Sequence, residues 1–400
     1  MNTKLNEIKV LKDPIWGYIH IEYKIIWDLI KTKEFQRLKR VKQLGGAFAV
    51  YHTAEHSRFG HSLGVYEVCV KMINNIPGLK DTLNEHEIIL VYIAGLLHDL
   101  GHCPYSHTHE TIFDTNHEVY SINIITKDSS INDVLNSYDI NLAKEVASII
   151  NHTHTNTLLS QIISSELDAD RMDYLLRDAY FTGTNYGVFE FERILRTLRV
   201  KDNRLVVKES GIKAIEDFLM SRYHMYWQVY FHPVARSYEI VLKQLYRRIK
   251  YLKETNQLDN LNVYDNCINN KYMTNIEHYY YDDNVCNYGI LALTKHKDII
   301  VNDLANRLLN RNLFKYLPDN NKNLNDINNI LNLNGYDRDY YLYIDTIFKK
   351  AYQPYTKESE QNIYVLTDDN KIKEITEVSA IVLALSESKE KEVKKIYYPE

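Results

Sequence analysis

The sequence predicts a mainly α-helical fold that ends in a smaller α+β region. Apolar residues recur at helical spacing through most of the first 255 positions. The segment Glu85–Leu97 is almost entirely apolar, as is typical of a helix at the centre of a core. Strand-like segments are few: Arg204–Val207, Asn362–Thr367 and Ile372–Ile375. We therefore predict a helical domain over residues 1–255 and an α+β region, with a role in oligomerisation or regulation, over residues 256–400.

The predicted helices follow one another with recognisable ends. Asn116 is a candidate N-cap, and Pro77-Gly78 would end the second helix. Residues 318–335 are rich in asparagine and predict a loop or an insertion. The helical segments are 21–42, His61–Met72, Glu85–Leu97, His117–Ile125, Ala143–Ile150, Glu166–Tyr180, Phe189–Leu198 and Gly211–Ile249.

The composition argues against several classes of protein. The 400 residues include 48 Lys and Arg against 53 Asp and Glu, a net charge of -5, which gives no indication of nucleic-acid binding. The longest apolar run, Ile88 to Leu97, is too short to cross a bilayer. The first residues lack the apolar stretch of a signal peptide, and the four cysteines form no CxxC pattern. We expect a cytoplasmic protein without a membrane partner.

Four side chains that are far apart in the sequence are candidates for one metal site. Imidazole nitrogen and carboxylate oxygen suit Fe, Mn, Zn and similar divalent ions. Neighbouring helical residues do not share a face, so an adjacent His-Asp pair reaches one ion only where a helix ends. Gly101 and Pro104 provide that end. The predicted ligands are His61, His98, Asp99 and Asp170.

Further titratable side chains lie close to the His-Asp pair in the sequence. A histidine with an ordinary pKa of about 6.5 can donate or accept a proton at neutral pH. A neighbouring carboxylate orients such a ring and raises its basicity. Candidates are His102, His107 and the pair His117-Glu118. Each histidine alone is more simply a structural residue with satisfied hydrogen bonds, but their concentration here favours a catalytic role.

The segment DADRMDYLLRD predicts a helix with one functional face. Arg171 lies to one side of this face, within reach of an anion next to the metal. Asp168 and Asp173 fall on other faces, where we expect solvated or salt-bridged carboxylates. An ordinary charged helix with i,i+4 pairs is the alternative. The face is formed at i, i+4 and i+8 by Asp170, Tyr174 and Asp178.

The segment SRYHMYWQVYFHPVARS is rich in aromatic and cationic residues. Arg222, Tyr226 and Tyr230 fall at i, i+4 and i+8, a strip suited to binding phosphates and stacking on a sugar or base. Core packing is the alternative for Tyr226 and Trp227. The sequence contains no GxxxxGK[ST], HExxH, PCxxC or GxSxG motif, which argues against a P-loop, a zincin, a zinc deaminase and a nucleophile elbow.

Together these segments resemble the HD-domain phosphohydrolases. More narrowly, they resemble the deoxynucleoside triphosphate triphosphohydrolases related to the mammalian sterile-alpha-motif/HD-domain enzyme and its bacterial homologues. The likeness covers most of the first 240 residues and implies an HD-domain helical core with a smaller C-terminal α+β part. It rests on KVLKDPIWGYI, FQRLKRVKQLGG, SRFGHSLGV, LLHDLGHCPYSH, NHE, DADRMDYLLRD, residues 222–234 and RNLFKYL.

The resemblance also implies roles for individual residues. The metal ligands would be the four residues named above, and His107 would donate a proton to the leaving oxygen, in a pocket lined by His102, His117 and Glu118. Phosphates would be held by Arg58, Arg171 and Arg222, although the family usually has lysine in place of Arg171. The deoxyribose, including its 3′-hydroxyl, would contact Gln43, Tyr174 and Asp178. Tyr230 would pack near the 2′-carbon and so disfavour ribose.

Members of this family are often tetramers that are activated by nucleotides bound between subunits. The resemblance therefore implies a homo-oligomer, a tetramer or a dimer. Lys31 stands where the mammalian enzyme has an aspartate that reads guanine, which argues against a guanine-specific activator. A solvated basic face is the alternative. The residues that match the regulatory pocket are Lys9, Val10, Arg37, Arg193, Arg311 and Lys315, and Lys39 and Lys208 replace arginines there.

The resulting hypothesis is a metal-dependent dNTP triphosphohydrolase that releases deoxynucleoside and triphosphate. A divalent ion (Fe, Mn, Zn, Co or Ni) would lower the pKa of bound water and polarise the α-phosphate, and Mg²⁺ would accompany the triphosphate. One alternative is an HD phosphohydrolase acting on another phosphoester, such as a nucleoside monophosphate or a cyclic nucleotide. The other is a nucleotide or nucleic-acid sensor with a vestigial metal site.

Overall fold

Helices form most of the protein, as the sequence predicts. The computed structural model describes residues 3–257, 267, 271–347, 362–387 and 393–400. In the first half of the chain, an antiparallel hairpin of β1 (Lys4–Asp13) and β2 (Gly17–Tyr23) precedes the helices. These helices are α1 (Lys24–Lys31), α2 (Lys33–Arg37), α3 (Arg58–Asn75), α4 (Leu79–Thr82), α5 (Glu85–Leu97), α6 (His107–Phe113), α7 (His117–Thr126), α8 (Ser130–Tyr138), α9 (Leu142–Ile150), α10 (Thr157–Ile163) and α11 (Ala169–Thr182).

The second half combines helices with two small sheets. One sheet has the strand order β3-β4-β7-β8, with β3 (Leu198–Lys201), β4 (Arg204–Lys208), β7 (Tyr364–Leu366) and β8 (Ile372–Glu374). The other has the order β5-β9-β6, with β5 (Lys315–Pro318), β6 (Tyr343–Ile347) and β9 (Val393–Tyr398). The helices are α12 (Phe191–Thr197), α13 (Ile212–Met225), α14 (Pro233–Glu254), α15 (Asn275–Tyr280), α16 (Asp283–Leu293), α17 (Ile299–Leu309), α18 (Asn321–Leu333), α19 (Arg338–Tyr341), α20 (Ile375–Val378) and α21 (Ala380–Glu387).

Helix α5 lies at the centre of the larger core and confirms the prediction for Glu85–Leu97. Every residue from Ile88 to Leu97 is buried, because the helix is apolar on all sides and packs against α3, α9 and α10. Asn84 and Glu87 form a capping box that fixes where it begins. This core extends to Val229 and includes side chains of β7, α20 and α21, whereas α14, α16 and α17 contribute to a second core. The proposed division near residue 255 stays a prediction.

Several local predictions were wrong: the helix predicted over 21–42 is broken at Thr32, and β5, β6 and β9 were not predicted. No strands were expected before residue 23, yet this segment forms the β1–β2 hairpin. The helix predicted over Gly211–Ile249 is interrupted by a π-helical turn, Tyr226–Tyr230, and restarts at Pro233. The asparagine-rich stretch 318–335 contains α18, because Ile327 and Leu331 repeat at helical spacing and are buried. Among the described residues, no helix is both long and apolar enough to cross a membrane.

Candidate metal centre and substrate cavity

The packing of three helices brings the four predicted metal ligands together. His61 lies on α3, and Asp170 lies in the first turn of α11. His98 and Asp99 directly follow α5, where the helix ends as predicted. Helix α3 packs against both α5 and α11, so residues that are far apart in the sequence meet at one point.

The distances between these side chains fit a shared cation. Nε2 of His61 lies 3.0 Å from Oδ1 of Asp170 and 3.5 Å from Oδ2 of Asp99. Nε2 of His98 lies 3.4 Å from Oδ1 of Asp99 and 3.6 Å from Oδ1 of Asp170. Ligand atoms about 2.1 Å from one ion, at angles between about 90° and 110°, lie roughly 3.0–3.5 Å from one another. His61, His98 and Asp170 therefore have the spacing of a coordination sphere, and Asp99 lies beside them with one oxygen towards each histidine.

The hydrogen bonds of the two histidines also fit metal binding. Nδ1 of His61 contacts Oδ2 of Asp173 at 2.8 Å, and Nδ1 of His98 contacts the carbonyl oxygen of Gly95 at 2.9 Å. Both acceptors select the tautomer with a proton on Nδ1, which leaves Nε2 with a free lone pair. Both Nε2 atoms are buried and have no hydrogen-bond partner among the described residues. A buried polar atom without a partner is costly, and a metal ion would satisfy both.

The electrostatic field at this point favours a cation. Burial alone would lower the pKa of His61, but the adjacent carboxylates of Asp170 and Asp173 outweigh burial and raise the pKa to about 10, so a cation, whether a proton or a metal ion, is favoured at this ring. Burial opposes ionisation of Asp99 and Asp170 as well, yet the neighbouring positive groups hold both pKa values well below the ordinary range. Two ionised carboxylates thus face two imidazoles in a buried site.

Arg58 joins this centre to the adjoining loop. Its guanidinium forms an ion pair with Oδ2 of Asp99, and its Nη2 donates to Oγ of Ser106 at 2.8 Å. Tyr105 and Ser106 have positive φ values of 56° and 45°, which are strained for residues with side chains. The loop is held in this conformation directly beside the predicted ligands. Its position supports a functional role for the strain.

A cluster of three histidines lies next to the metal centre. His102 stacks on His117, with ring centroids 3.8 Å apart. Glu110 contacts Nδ1 of His117 at 2.6 Å and Nδ1 of His107 at 2.8 Å. Burial opposes the ionisation of Glu110, but these two hydrogen bonds lower its pKa. Burial and the nearby charge of Arg58 hold the pKa of His102 well below its ordinary value, so this ring is neutral.

A cavity of about 450 Å³ connects the metal centre with the predicted sugar-binding residues. This volume is in the range of pockets for small ligands. The predicted residues that line it are Gln43, Arg58, Asp99, His102, His107, His117, Asp170, Tyr174, Asp178 and Tyr230. The face of α11 formed by Asp170, Tyr174 and Asp178 therefore lies where the helical spacing placed it.

Three of the predicted catalytic and substrate-binding residues do not line this cavity. The Arg171 guanidinium forms an ion pair with Asp168, and Arg222 forms one with Glu166. Both arginines that were expected to contact phosphates are therefore already paired with carboxylates. Glu118 is half-buried at the start of α7 and points away from the cavity, because consecutive helical residues point in different directions. Glu110, which the sequence analysis did not single out, is the carboxylate that contacts both His107 and His117.

The residues predicted to form a regulatory pocket also do not line this cavity. Arg37 is buried, and its guanidinium donates to the carbonyl oxygens of His102, at 3.0 Å, and of Tyr281. Its guanidinium is therefore bound inside the subunit, and a nucleotide contact from Arg37 stays a prediction. Lys9 and Val10 lie on the β1–β2 hairpin, where Val10 is exposed.

Sequence reasoning missed two carboxylates that orient site histidines. Asp173 was expected to be solvated or salt-bridged; it does form a salt bridge with Arg177, but it is fully buried and also contacts His61. Its position three residues after Asp170, on a helix that packs against His61, was the available signal. Glu110 follows His107 by three residues, a spacing that also brings two helical side chains together.

Comparison with known proteins agrees with this geometry. Residues 58–178 match the HD domain, and residues 189–332 match the HD associated region. The protein YwfO of Bacillus subtilis is 42% identical over all of this chain and 94% of its own length. A phosphohydrolase from Bacteroides thetaiotaomicron has a similar crystal structure, with a TM-score of 0.85 and 30% identity over 98% of this chain and all of that one. The chain belongs to the HD-domain phosphohydrolases.

A relative with a named activity is more distant. The Dictyostelium discoideum protein named deoxynucleoside triphosphate triphosphohydrolase SAMHD1 homolog is 31% identical over 78% of this chain. The match covers 60% of that relative's length. HD domains bind divalent metals, and His61, His98 and Asp170 form a group that could hold such an ion.

Proposed function

We propose that this protein is a metal-dependent dNTP triphosphohydrolase, which cleaves a dNTP to deoxynucleoside and triphosphate. The observation that carries the proposal is the arrangement of α11 along the cavity. Asp170 lies at the metal centre, and Asp178 lies eight residues further along the same face. At a rise of about 1.5 Å per residue the two are about 12 Å apart, a span that suits an α-phosphate and a deoxyribose bound in between. The name of the Dictyostelium relative supports the same substrate class.

The proposed metal ligands are His61, His98, Asp99 and Asp170. A divalent ion there, which could be Fe, Mn, Zn, Co or Ni, supplies Lewis acidity that makes water more acidic and a phosphoryl group more electrophilic. Arg58 would bind a phosphate oxygen beside this centre. Arg171 and Arg222 would contribute only by exchanging their present carboxylate partners for phosphate, and Mg²⁺ would accompany the triphosphate.

The histidine cluster would carry the proton transfer. In the proposed reaction, water attacks the α-phosphorus and the bond to the 5′-oxygen breaks. His107 would protonate this oxygen from Nε2, because Glu110 holds its Nδ1. His117, held by the same carboxylate, and neutral His102 would line the reaction site.

The other end of the cavity would bind the deoxyribose. Gln43, Tyr174 and Asp178 would contact the sugar, and Asp178 would accept a hydrogen bond from the 3′-hydroxyl. Tyr230 would pack near the 2′-carbon, where an additional hydroxyl would lose its hydration. We further propose assembly into a homo-oligomer, a tetramer or a dimer, with an activating nucleotide between subunits.

A substrate panel tests this proposal. Purified protein is analysed for its metal content and is then incubated with each dNTP, with NTPs, with dNMPs and with cyclic nucleotides. Release of triphosphate from dNTPs is the expected result. Orthophosphate or a linear monophosphate as product would instead support a different phosphohydrolase, and no turnover with any metal or activator would support a sensor.

Two variants connect that activity with the site. His98→Ala should lose both bound metal and turnover, because His98 is a proposed ligand. His52→Ala, a substitution in an exposed turn, is the matched control and should retain both. Turnover that persists in His98→Ala would contradict the assignment of the metal centre.

A further inference from the structure

The turn of the β1–β2 hairpin reaches the carboxylate that orients His61. Oδ1 of Asp173 accepts hydrogen bonds from the indole Nε1 of Trp16 at 2.5 Å and from Nη2 of Arg177 at 3.0 Å. Oδ2 of Asp173 accepts from Nδ1 of His61 and from Nε of Arg177, each at 2.8 Å. Nη1 of Arg177 donates to Oδ2 of Asp13 at 2.9 Å. These five residues form one continuous network.

Both ends of this network are fixed by further contacts. Oδ1 of Asp13 accepts the backbone N–H groups of Ile15, at 2.9 Å, and Trp16, at 3.0 Å, and so closes the hairpin turn. The Trp16 ring packs against Phe191, with ring centroids 4.8 Å apart. One carboxylate therefore stabilises the turn and also binds Arg177.

The network is buried and charged. Asp173 is 0% exposed and Arg177 is 1% exposed. Asp173 forms an ion pair with Arg177 at 2.8 Å, so a buried carboxylate is matched with a buried guanidinium. Removing one partner from a buried charged group leaves the others without compensation, so each hydrogen bond of Asp173 matters to its position.

Helix α3 leaves room for this carboxylate. A Cβ atom added at Gly64 would lie 1.8 Å from Oδ1 of Asp173 and 2.4 Å from Nη2 of Arg177. The carboxylate of Asp173 thus occupies the space that a side chain at position 64 would fill. Gly64 lies about one turn along α3 from His61. The close approach holds Asp173 at a fixed distance from the His61 ring.

We propose that the hairpin turn is part of the metal centre, with Trp16 and Asp13 as positioning residues for His61. Trp16 and Arg177 hold both oxygens of Asp173. Asp173 holds the Nδ1–H tautomer and the ring plane of His61, and Nε2 is then directed to the cation. The inference goes beyond the proposed function, because it applies to any chemistry that needs the cation.

Metal affinity in the full-length protein tests this inference. Trp16→Phe keeps a ring next to Phe191 but removes the indole N–H, and Asp13→Asn keeps an oxygen to close the turn but removes the charge that faces Arg177. Mn²⁺ alone is titrated into metal-free protein, and its dissociation constant is measured by calorimetry. We expect both variants to bind Mn²⁺ about tenfold more weakly, since partners of metal-bound histidines typically change affinity by 10- to 100-fold.

Control variants distinguish a loss of His61 positioning from a general loss of folded structure. Trp27→Phe removes an indole N–H on α1, outside the network, and should bind Mn²⁺ like the wild type. Combining Trp16→Phe with Asp173→Asn should weaken binding no further than Asp173→Asn alone, because both substitutions break the same chain of contacts. Unfolding curves of each variant without metal measure separately how far the substitution lowers the stability of the fold.

Two results would overturn the inference. In the first, Trp16→Phe and Asp13→Asn lower the metal-free stability but retain the wild-type Mn²⁺ affinity, which would assign the network a structural role only. In the second, the wild type binds neither Mn²⁺ nor Zn²⁺ nor Co²⁺, which would also contradict the metal centre itself. A failure of the first kind leaves the dNTP panel unaffected, so the two proposals fail separately.

Discussion

Nε2 of His56 lies 2.7 Å from one carboxylate oxygen of Asp178, and the hydroxyl of Tyr230 donates to the other at 2.8 Å. Asp178 and Tyr230 line the cavity, whereas His56 lies behind them and stacks on Phe181 with ring centroids 4.5 Å apart. These two contacts fix the orientation of the Asp178 carboxylate. Each oxygen keeps a further lone pair that can accept a hydrogen bond from a substrate hydroxyl.

His56→Phe should impair the hydrolysis of dNTPs selectively. The substitution keeps an aromatic ring against Phe181 but removes one of the two partners that hold Asp178. We expect kcat/KM for a dNTP to fall about tenfold, the loss of roughly one buried hydrogen bond to a charged group. A 2′,3′-dideoxynucleotide has no 3′-hydroxyl for Asp178 to bind, so its kcat/KM should hardly change. Equal losses for both substrates would contradict the proposed contact.

Glu110→Gln should lower kcat without removing the metal. The ionised carboxylate of Glu110 contacts Nδ1 of both His107 and His117, and an amide would orient and polarise the two rings less well. We expect kcat to fall about 100-fold, in the range of general acid–base contributions, with an unchanged metal content by elemental analysis. Glu118→Gln is the matched control, and a larger effect at this position outside the cavity would reverse the roles of the two glutamates.

The helices were predictable because local patterns specify them. The apolar run of α5 and the Asn116 cap of α7 each act within a few residues. The spacing of Asp170, Tyr174 and Asp178 gave the cavity face of α11 without any knowledge of tertiary structure. Which carboxylates pair with which cations was not predictable in this way. Glu166 is 56 positions from Arg222, and only the folded structure brings the two together.

The wrong predictions for β1 and α18 also concern structure that local sequence patterns do not specify. In β1, exposed and partly exposed residues alternate over a strand with few buried side chains, so the pattern has no clear apolar face. In α18, asparagine has a low helix propensity, and burial of Ile327 and Leu331 against the second core outweighs it. Tertiary packing decided both cases.

Acidification should destabilise the protein partly through His109. The pKa of an unfolded histidine is about 6.5, and burial lowers the pKa of His109 in the folded protein to about 3. Between these values the unfolded chain binds a proton that the folded chain does not, so stability falls as the pH decreases from about 6.5 towards 3. Above about pH 6.5, the contribution of His109 to the free energy of unfolding no longer changes with pH. At most, this one histidine changes the free energy of unfolding by about 1.4 kcal/mol per pH unit.

His109→Leu should weaken this pH dependence. Neither ring nitrogen of His109 has a hydrogen-bond partner among the described residues, and the ring lies between Phe113 and Tyr281. An apolar side chain of similar size should therefore also raise the stability at pH 7, by about 1 kcal/mol or more. Urea unfolding at several pH values measures both effects. The exposed control His52→Leu should follow the wild type, and parallel curves for all three proteins would rule out His109 as a source of acid sensitivity.

Gly101→Ala should disrupt the metal centre through packing alone. An added Cβ would lie 2.0 Å from the carbonyl oxygen of His117 and 2.4 Å from the amide nitrogen of Ser121, so the loop after Asp99 would have to move away from α7. That movement would break the hydrogen bonds from Gly101 N–H to Ser121 Oγ and from Ser121 Oγ to the carbonyl of His98, at 2.9 and 2.8 Å.

We expect Gly101→Ala to lower the free energy of unfolding by about 1–3 kcal/mol, as overpacking usually does, and to weaken metal binding because His98 and Asp99 belong to the displaced loop. Gly60→Ala is the control, since its Cβ would meet only Arg177 Nη1 at 3.4 Å, an ordinary contact on α3. This helical substitution should leave metal binding intact and slightly raise stability. Urea unfolding and metal titration of both variants give the comparison, and a Gly101→Ala protein with wild-type metal affinity would show that the loop does not fix the ligands.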